Sequence, residues 1–385
     1  MKDFIIFGQP EIGDDEINEV VDSLRIGWLG TGPKTKKFEI DFANYKSIKY
    51  SLALNSCTAG LHLSCLTLDL KPGDEVITSA MTFCATVNSI IHAGGKPVLV
   101  DIDPNTWNMD PVKLEEKINS KTKAIIPVHF AGRPCEMDKI LTLAKKNNLK
   151  VIEDCAHAIE TKYNGKFAGT FGDIGCLSFY VTKNVVTGEG GALITNNLKY
   201  ANQLKVLALH GLTQNAWSRF SDKGYSHYKV VSPGFKYNMM DIQASLGIHQ
   251  ITKVFVSWKK RKKIWDFYDK NFKNMPFIKL DSIKKNMRHA YHLYIILLDL
   301  KKIKITRDVF LEEMRKLNIG VGVHYTALHL HPFYKKKYNY KKGDLKNTEF
   351  ISDRTVSLPL SPKLNLKDQR DVVNAVKKII NKYYI

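Results

Sequence analysis

A lysine, an aspartate and a histidine in this chain have the types and spacing for amine chemistry. Lys183 lies in Ser178-Phe179-Tyr180-Val181-Thr182-Lys183-Asn184, shortly before Gly188-Glu189-Gly190-Gly191; Asp154 closes the apolar run Val151-Ile152-Glu153-Asp154, and His157 follows it closely. A lysine amine can condense with an aldehyde cofactor, and a carboxylate can keep a pyridine nitrogen protonated so that the ring accepts carbanion charge. Those are the two parts that pyridoxal phosphate (PLP) needs from a protein. If such a ring sits here, Asp154 pairs with its nitrogen and His157 can reach its phenolate oxygen. The segment Leu54-Asn55-Ser56-Cys57-Thr58-Ala59-Gly60-Leu61-His62 adds a third part, running through small residues into a helix. Small side chains let a phosphate approach the backbone, N–H groups at a helix start bind it, and Thr58 offers a hydroxyl.

These residues need a scaffold that gathers them at one edge. Between Tyr50 and Asn196 the sequence alternates apolar strands with amphipathic stretches. Strands are predicted at 51–54, 75–78, 97–100, 124–128, 151–153, 174–179 and 192–195, with helices at 61–68, 84–92, 111–118 and 137–147. Such alternation predicts an α/β unit with a mostly parallel sheet covered on both faces, functional residues lying on loops beyond the strand ends. Beyond about Asp241 the texture changes to a long basic helix, a strand within 291–298, a helix over 307–317 and a strand at 320–324. The division expected is a large PLP-binding domain over 1–250 and a smaller α+β domain over 251–385, packed closely because no low-complexity linker separates them.

Composition bounds the reading further. The 385 residues are 44% hydrophobic and 25% charged, as in a globular protein of two domains. The N-terminal MKDFIIFGQPEIGDDE holds an apolar stretch too short for a signal-peptide core, and no apolar run approaches a membrane span, so a cytoplasmic chain with no membrane partner is expected. Six cysteines, all in the first half, show no metal-ligand spacing and read as reduced, buried thiols, with no metal expected. The net charge of +20 invites a nucleic-acid reading. Against it, the basic residues are spread along the chain, no helix-turn-helix segment is recognisable, and Lys259-Lys260-Arg261-Lys262-Lys263 reads as the solvated face of a helix. The excess can instead attract an anionic small substrate.

The strings TAGLH (Thr58 to His62), GDEVITSAMTF (Gly73 to Phe83), VIEDCAHAIET (Val151 to Thr161), GDIGCLSFYVTKNVVTGEGGALIT (Gly172 to Thr195), PGFKYNMMDIQASLG (Pro233 to Gly247) and GVGVHYTALH (Gly320 to His329) carry a resemblance over nearly the whole chain. In order and register the sequence resembles the DegT/DnrJ/EryC1/StrS family of PLP-dependent nucleotide-sugar aminotransferases. Through GWLGTGP (Gly27 to Pro33), LHGL (Leu209 to Leu212) and GFKYN (Gly234 to Asn238) it is similar to enzymes that aminate C4 of a UDP-linked 4-keto sugar, of the 4-amino-4-deoxy-arabinose type.

That resemblance implies the aspartate-aminotransferase-like fold (PLP fold type I) with a seven-stranded sheet, and a homodimer with shared active sites. It also implies PLP, passing through pyridoxamine phosphate, with L-glutamate yielding 2-oxoglutarate and a nucleotide-linked (UDP, GDP or dTDP) keto sugar as acceptor for surface glycan biosynthesis. Lys183 would hold the cofactor and shuttle the proton, with Asp154 on the ring nitrogen, His157 near the ring oxygen and Phe83 stacked on the ring. Thr58, Ala59 and Ser178 would hold the phosphate, and Asn238 would reach it from the partner subunit. On the substrate side stand Glu189, His324, Tyr325 and His329, with Trp217 and Tyr225 as further candidates. Amination at C3 stays open. Relatives that remove a hydroxyl carry histidine at the lysine position, so Lys183 argues for transamination; a dehydrating or aromatising PLP relative that keeps lysine, or a non-catalytic PLP-fold regulator, are the alternatives.

Overall fold

The computed structural model describes residues 3–213, 228–278 and 282–385. Its centre is a sheet of short apolar strands: β1 (Tyr50–Leu54), β2 (Glu75–Ser79), β3 (Lys96–Val100), β4 (Thr122–Ile126), β5 (Lys150–Asp154), then, after the small hairpin β6 (Lys162–Tyr163) and β7 (Lys166–Phe167), β8 (Ile174–Ser178) and β9 (Gly191–Thr195). The seven large-sheet strands lie in the order β1-β9-β8-β5-β4-β2-β3. Only β9 runs against its neighbours. β2, β8 and β9 are buried along their whole length, because helices cover both faces, and this explains why they read as continuous apolar runs rather than alternating ones.

Local chemistry sets where the helices begin. Ser56 accepts the N–H of Ala59 and starts the helix Cys57–Leu66, four residues before the predicted start at 61. Asp110, followed by Pro111, caps Pro111–Lys117, and Asn197 caps Leu198–Ala208. A cap from far along the chain serves Pro33–Lys46: Asp241 Oδ1 accepts from Gly32 N at 2.8 Å and Thr35 N at 2.9 Å, and its Oδ2 from Lys34 N at 3.1 Å.

The helix opening at that aspartate runs unbroken from Asp241 to Phe272, 32 residues, so the division expected at residue 250 falls inside it. Its first half packs Ala244, Ile248, Ile251 and Val254 with Phe38 and Phe179 of the large unit, and its second half packs Ile264, Tyr268 and Phe272 into the core of the smaller one. The basic stretch on it is not wholly a solvated face. Arg261 is buried and donates to the carbonyl of Leu360 at 2.8 Å, while Lys259 and Lys263 face out.

The smaller unit holds a three-stranded antiparallel sheet of β10 (Phe277–Ile278), β12 (Tyr294–Leu298) and β13 (Thr355–Leu358), backed by helices Arg307–Lys316 and Leu366–Tyr383. The short strand β11 (Met287–Arg288) pairs with β6 instead. The strand expected at 320–324 does not form. The segment meets the edge of β13 that β12 leaves open by a single bridge, Gly322 to Ser357, before leaving toward the large sheet, where the N–H of Tyr325 meets Met81 Sδ. All six cysteines are free, five of them buried. No helix among the described residues is long and apolar enough to cross a membrane.

Candidate active site

The parallel strands deliver their chemical residues to one edge. β5 ends at Asp154, in register with Cys176 of β8, and β8 ends at Ser178, opposite Gly191, where the reversed β9 begins. Leu54, the last residue of β1, also lies opposite Gly191. A Cβ on Gly191 would stand 2.4 Å from the backbone nitrogen of Cys57, so only glycine lets β9 meet the start of the helix Cys57–Leu66. Lys183 follows β8 in a turn closed by its N–H to the carbonyl of Tyr180.

Among the described residues none accepts a hydrogen bond from the Lys183 amine. Burial lowers its pKa to about 8, against the opposing pull of Cys57 and Asp154, so an appreciable share of the amine is neutral and nucleophilic near neutral pH. Asp154 is buried, with Oδ2 accepting from the Thr86 hydroxyl at 2.8 Å and Oδ1 from the N–H of Ala156 at 3.0 Å. Burial raises its pKa, an effect partly offset by those two bonds and by Lys183. His157 is driven well below the usual histidine range, first by burial and then by the charges of Lys183 and His324. Its ring is therefore neutral. Nδ1 accepts the N–H of Ala131 at 3.2 Å, which leaves the proton on Nε2, 3.1 Å from the hydroxyl of Tyr325.

Tyr325 and His324 close the opposite wall. His324 stacks on Phe7 with ring centres 5.6 Å apart and holds Ser357 Oγ at 2.8 Å; burial and the charge of Lys183 bring its pKa to about 3. Burial raises the Tyr325 phenol, so it remains protonated. Phe83 stands at the rim, 57% exposed and 6.1 Å from the Tyr325 ring, with a face open to a planar ligand. Asp154, His157, Lys183, His324, Tyr325 and Phe83 thus form one cluster.

The other expected residues are placed differently. Thr58 is exposed in the first turn of its helix; the N–H of Ala59 is already taken by Ser56, so an anion there meets the N–H groups of Cys57 and Thr58 and the Thr58 hydroxyl. Ser178 Oγ faces the N–H of Tyr180 at 3.4 Å. Asn238 bridges to Leu54 of its own chain and donates to Thr31, while its Oδ1 is buried without a partner among the described residues. Glu189 is exposed, and its carbonyl accepts from Thr187 and Gln243. His329 is a correction: it is fully buried, with Nε2 on Glu349 at 2.9 Å, and has no surface to offer a substrate. Trp217 and Tyr225 lie outside the described residues.

Four participants escape a reading of the sequence. Thr86 and Ala131 act through contacts made only on folding, on Asp154 and on His157. His292 lies against His157, ring centres 4.4 Å apart, and is bonded to Asn184. Asn184 alone carried a signal, as the residue next to Lys183.

The site suits a phosphorylated pyridine aldehyde. A half-buried amine without an acceptor among the described residues, a buried acid beside it, a glycine-shaped approach to a helix start and an open aromatic rim are the features that such a ligand occupies.

Residues 10–377 match the model of the DegT/DnrJ/EryC1/StrS aminotransferase family. The chain is 51% identical over 373 residues to an uncharacterized protein of Methanocaldococcus jannaschii, covering 97% of each, and 44% identical over 378 residues to the spore coat polysaccharide biosynthesis protein SpsC of Bacillus subtilis, covering 98% of this chain and 97% of that one. Its fold is similar to that of a Streptococcus pneumoniae protein named as a sugar aminotransferase and solved in its PMP-form (TM-score 0.91, 34% identity, 98% and 99% of the two chains). It is also similar to Helicobacter pylori PseC, an aminotransferase involved in the biosynthesis of pseudoaminic acid (TM-score 0.92, 28% identity, 99% and 100%). This chain belongs to the DegT/DnrJ/EryC1/StrS aminotransferase family.

Proposed function

We propose that this family member moves the amino group of L-glutamate to the keto carbon, most simply C4, of a nucleotide-linked keto sugar, with PLP as cofactor, in the making of a surface glycan. The observation that carries the reading is the half-buried amine of Lys183, without an acceptor among the described residues, beside the buried carboxylate of Asp154. SpsC, the PMP-form of the pneumococcal protein and PseC support the coarser part of it, an aminotransferase acting on sugars. The strings around Trp28, His210 and Tyr237 support C4 and a UDP-linked acceptor only by resemblance.

When bound, PLP supplies an electron sink for the carbanion and carries the amino group between the two half-reactions. The chain does the rest. Lys183 Nζ holds the cofactor and is the base that takes the α-proton of glutamate; with acceptor bound, it returns a proton to the sugar carbon from one face, which fixes the product's configuration. Asp154 would hold a proton at the ring nitrogen, from a carboxylate that two donors and burial keep in place. His157 presents its Nε2 proton toward the ring oxygen, and Phe83 covers one face of the ring. Thr58, the N–H groups at the start of its helix and Ser178 bind the phosphate. His324 and Tyr325 line the acceptor side, with Glu189 at the mouth. Two copies of the chain share each site, with Asn238 reaching the partner's phosphate, a reading that the resemblance supports.

The test is chemical. Borohydride treatment of the PLP-loaded protein should fix the cofactor mass on the peptide holding Lys183, and Lys183→Ala should lose both that adduct and turnover, the latter on the order of 10³-fold or more. An adduct that survives in Lys183→Ala removes the lysine from its role. Incubation of UDP-, GDP- and dTDP-keto sugars with glutamate, read by product mass, identifies the acceptor. Consumption of sugar without consumption of glutamate would favour dehydration instead.

A further inference from the structure

Directly after the reactive lysine, Asn184 is buried, 8% exposed, and makes four hydrogen bonds inside the protein. Its Nδ2 faces both oxygens of the Glu160 carboxylate, at 3.0 and 2.9 Å, and the carbonyl of Ala290 at 2.9 Å. The Ala290 carbonyl can only accept, and the Glu160 carboxyl, whose pKa burial raises to about 7, keeps at least one accepting oxygen in either protonation state. They commit the nitrogen side of the amide, so the atom 3.0 Å from His292 Nδ1 is the amide oxygen. His292 must then carry its proton on Nδ1. Burial holds this ring well below the usual histidine range, with His157 and Lys183 adding to the effect, so it is neutral.

The His292 ring packs against His157, with centres 4.4 Å apart and planes 34° from each other. His157 shows the opposite arrangement, with its proton on Nε2, because the N–H of Ala131 occupies Nδ1 at 3.2 Å. Resting on the aminotransferase reading of this site, we infer that Asn184 and His292 are positioning residues that hold the His157 ring with its Nε2 proton turned into the cleft. Glu160 orients the amide, the amide orients His292, and His292 forms the floor on which His157 lies. The arrangement ties the ring to the same turn that carries Lys183, so the nucleophile and the Nε2 donor share one support.

The experiment reads ring tautomers by ¹⁵N NMR in full-length protein labelled at histidine, with and without PLP. Spectra of His157→Gln and His292→Gln, each lacking one ring, assign the two signals. The wild-type protein should show His157 as the Nε2–H form and His292 as the Nδ1–H form, both neutral at pH 7. Asn184→Leu should release His292 into a mixture of tautomers, broaden the His157 signal and lower turnover by about ten- to hundredfold with PLP still bound. A wild-type His157 protonated on Nδ1, or a charged His292, overturns the inference, as does an Asn184→Leu protein with both ring signals unchanged. If Asn184→Leu fails to fold, the wild-type tautomers and the effect of His292→Phe on the His157 signal decide, an unchanged signal counting against it. Because tautomers are read without cofactor, expected tautomers in a protein that transfers no amino group would sink the reading of the reaction and leave the network standing.

Discussion

Glu153 and Asp154 are adjacent on β5 and point to opposite sides of the sheet, and the protein treats them in opposite ways. Glu153 is completely buried within a cage: His129 Nε2 at 3.0 Å and the N–H groups of Gly169, Phe171 and Gly172 at 2.7 to 2.8 Å. Burial pushes its pKa up, but His129 and the backbone donors outweigh it, and the net shift is downward. Asp154 has two donors, and burial wins. One carboxylate is saturated by its own protein; the other keeps capacity for something the chain does not supply. Saturated buried charge signals architecture, and under-supplied buried charge signals a binding partner.

The sharpest way to break this comparison is to neutralise each acid in turn. Asp154→Asn should keep PLP yet lower turnover by about 10² to 10³-fold, within the range for removing a positioned proton-holding group, and should leave the thermal midpoint of the cofactor-free protein no lower than before. Near-normal turnover would remove Asp154 from the ring nitrogen. Glu153→Gln should do the reverse, destabilising the fold by about 3 kcal/mol in urea unfolding while activity per folded molecule is retained, because His129 and three backbone donors lose their charged partner.

A smaller effect lies in pH. Glu153, with its folded pKa lowered, contributes stability that is present above the ordinary carboxylate range and lost as pH falls through the lowered value. Asp154, with its folded pKa raised, contributes stability present below the ordinary range and lost as pH rises through the raised value. Unfolding measured between pH 7 and pH 3 should therefore show a shallower acid-side decline in Glu153→Gln and a steeper one in Asp154→Asn. Equal slopes would mean that the two carboxylates do not differ. Smallest of all, Thr86→Val should remove one donor from Asp154 for about 1 kcal/mol of stability, with only a modest fall in turnover.

The sheet was legible because covered parallel strands are apolar along their whole length, and the predicted strands at 51–54 and 174–179 fall within about a residue of β1 and β8. Lys183, Asp154 and His157 were legible because each ends or follows such a strand. His329 misled because it shares the string running from Gly320 with His324, and a string does not say which ring faces inward. The strand expected at 320–324 failed for a related reason: the far edge of β13 is open to it, but the segment keeps that pairing at Gly322 alone before turning to the large sheet, a course that its residue pattern does not show. Thr86, Ala131 and His292 were invisible because their roles arise from contacts between segments far apart in the chain.

The helix Asp241–Phe272, about 48 Å long at 1.5 Å per residue, is rooted in the hydrophobic cores of both halves. Neither half is a detachable module. Grafting the C-terminal portion from a relative to change which sugar is accepted would have to carry this whole rod, from the carboxylate that caps Pro33–Lys46 to its last aromatic residue. A chimera joined near residue 250 would instead unite two half-helices whose inward faces were shaped by different neighbours.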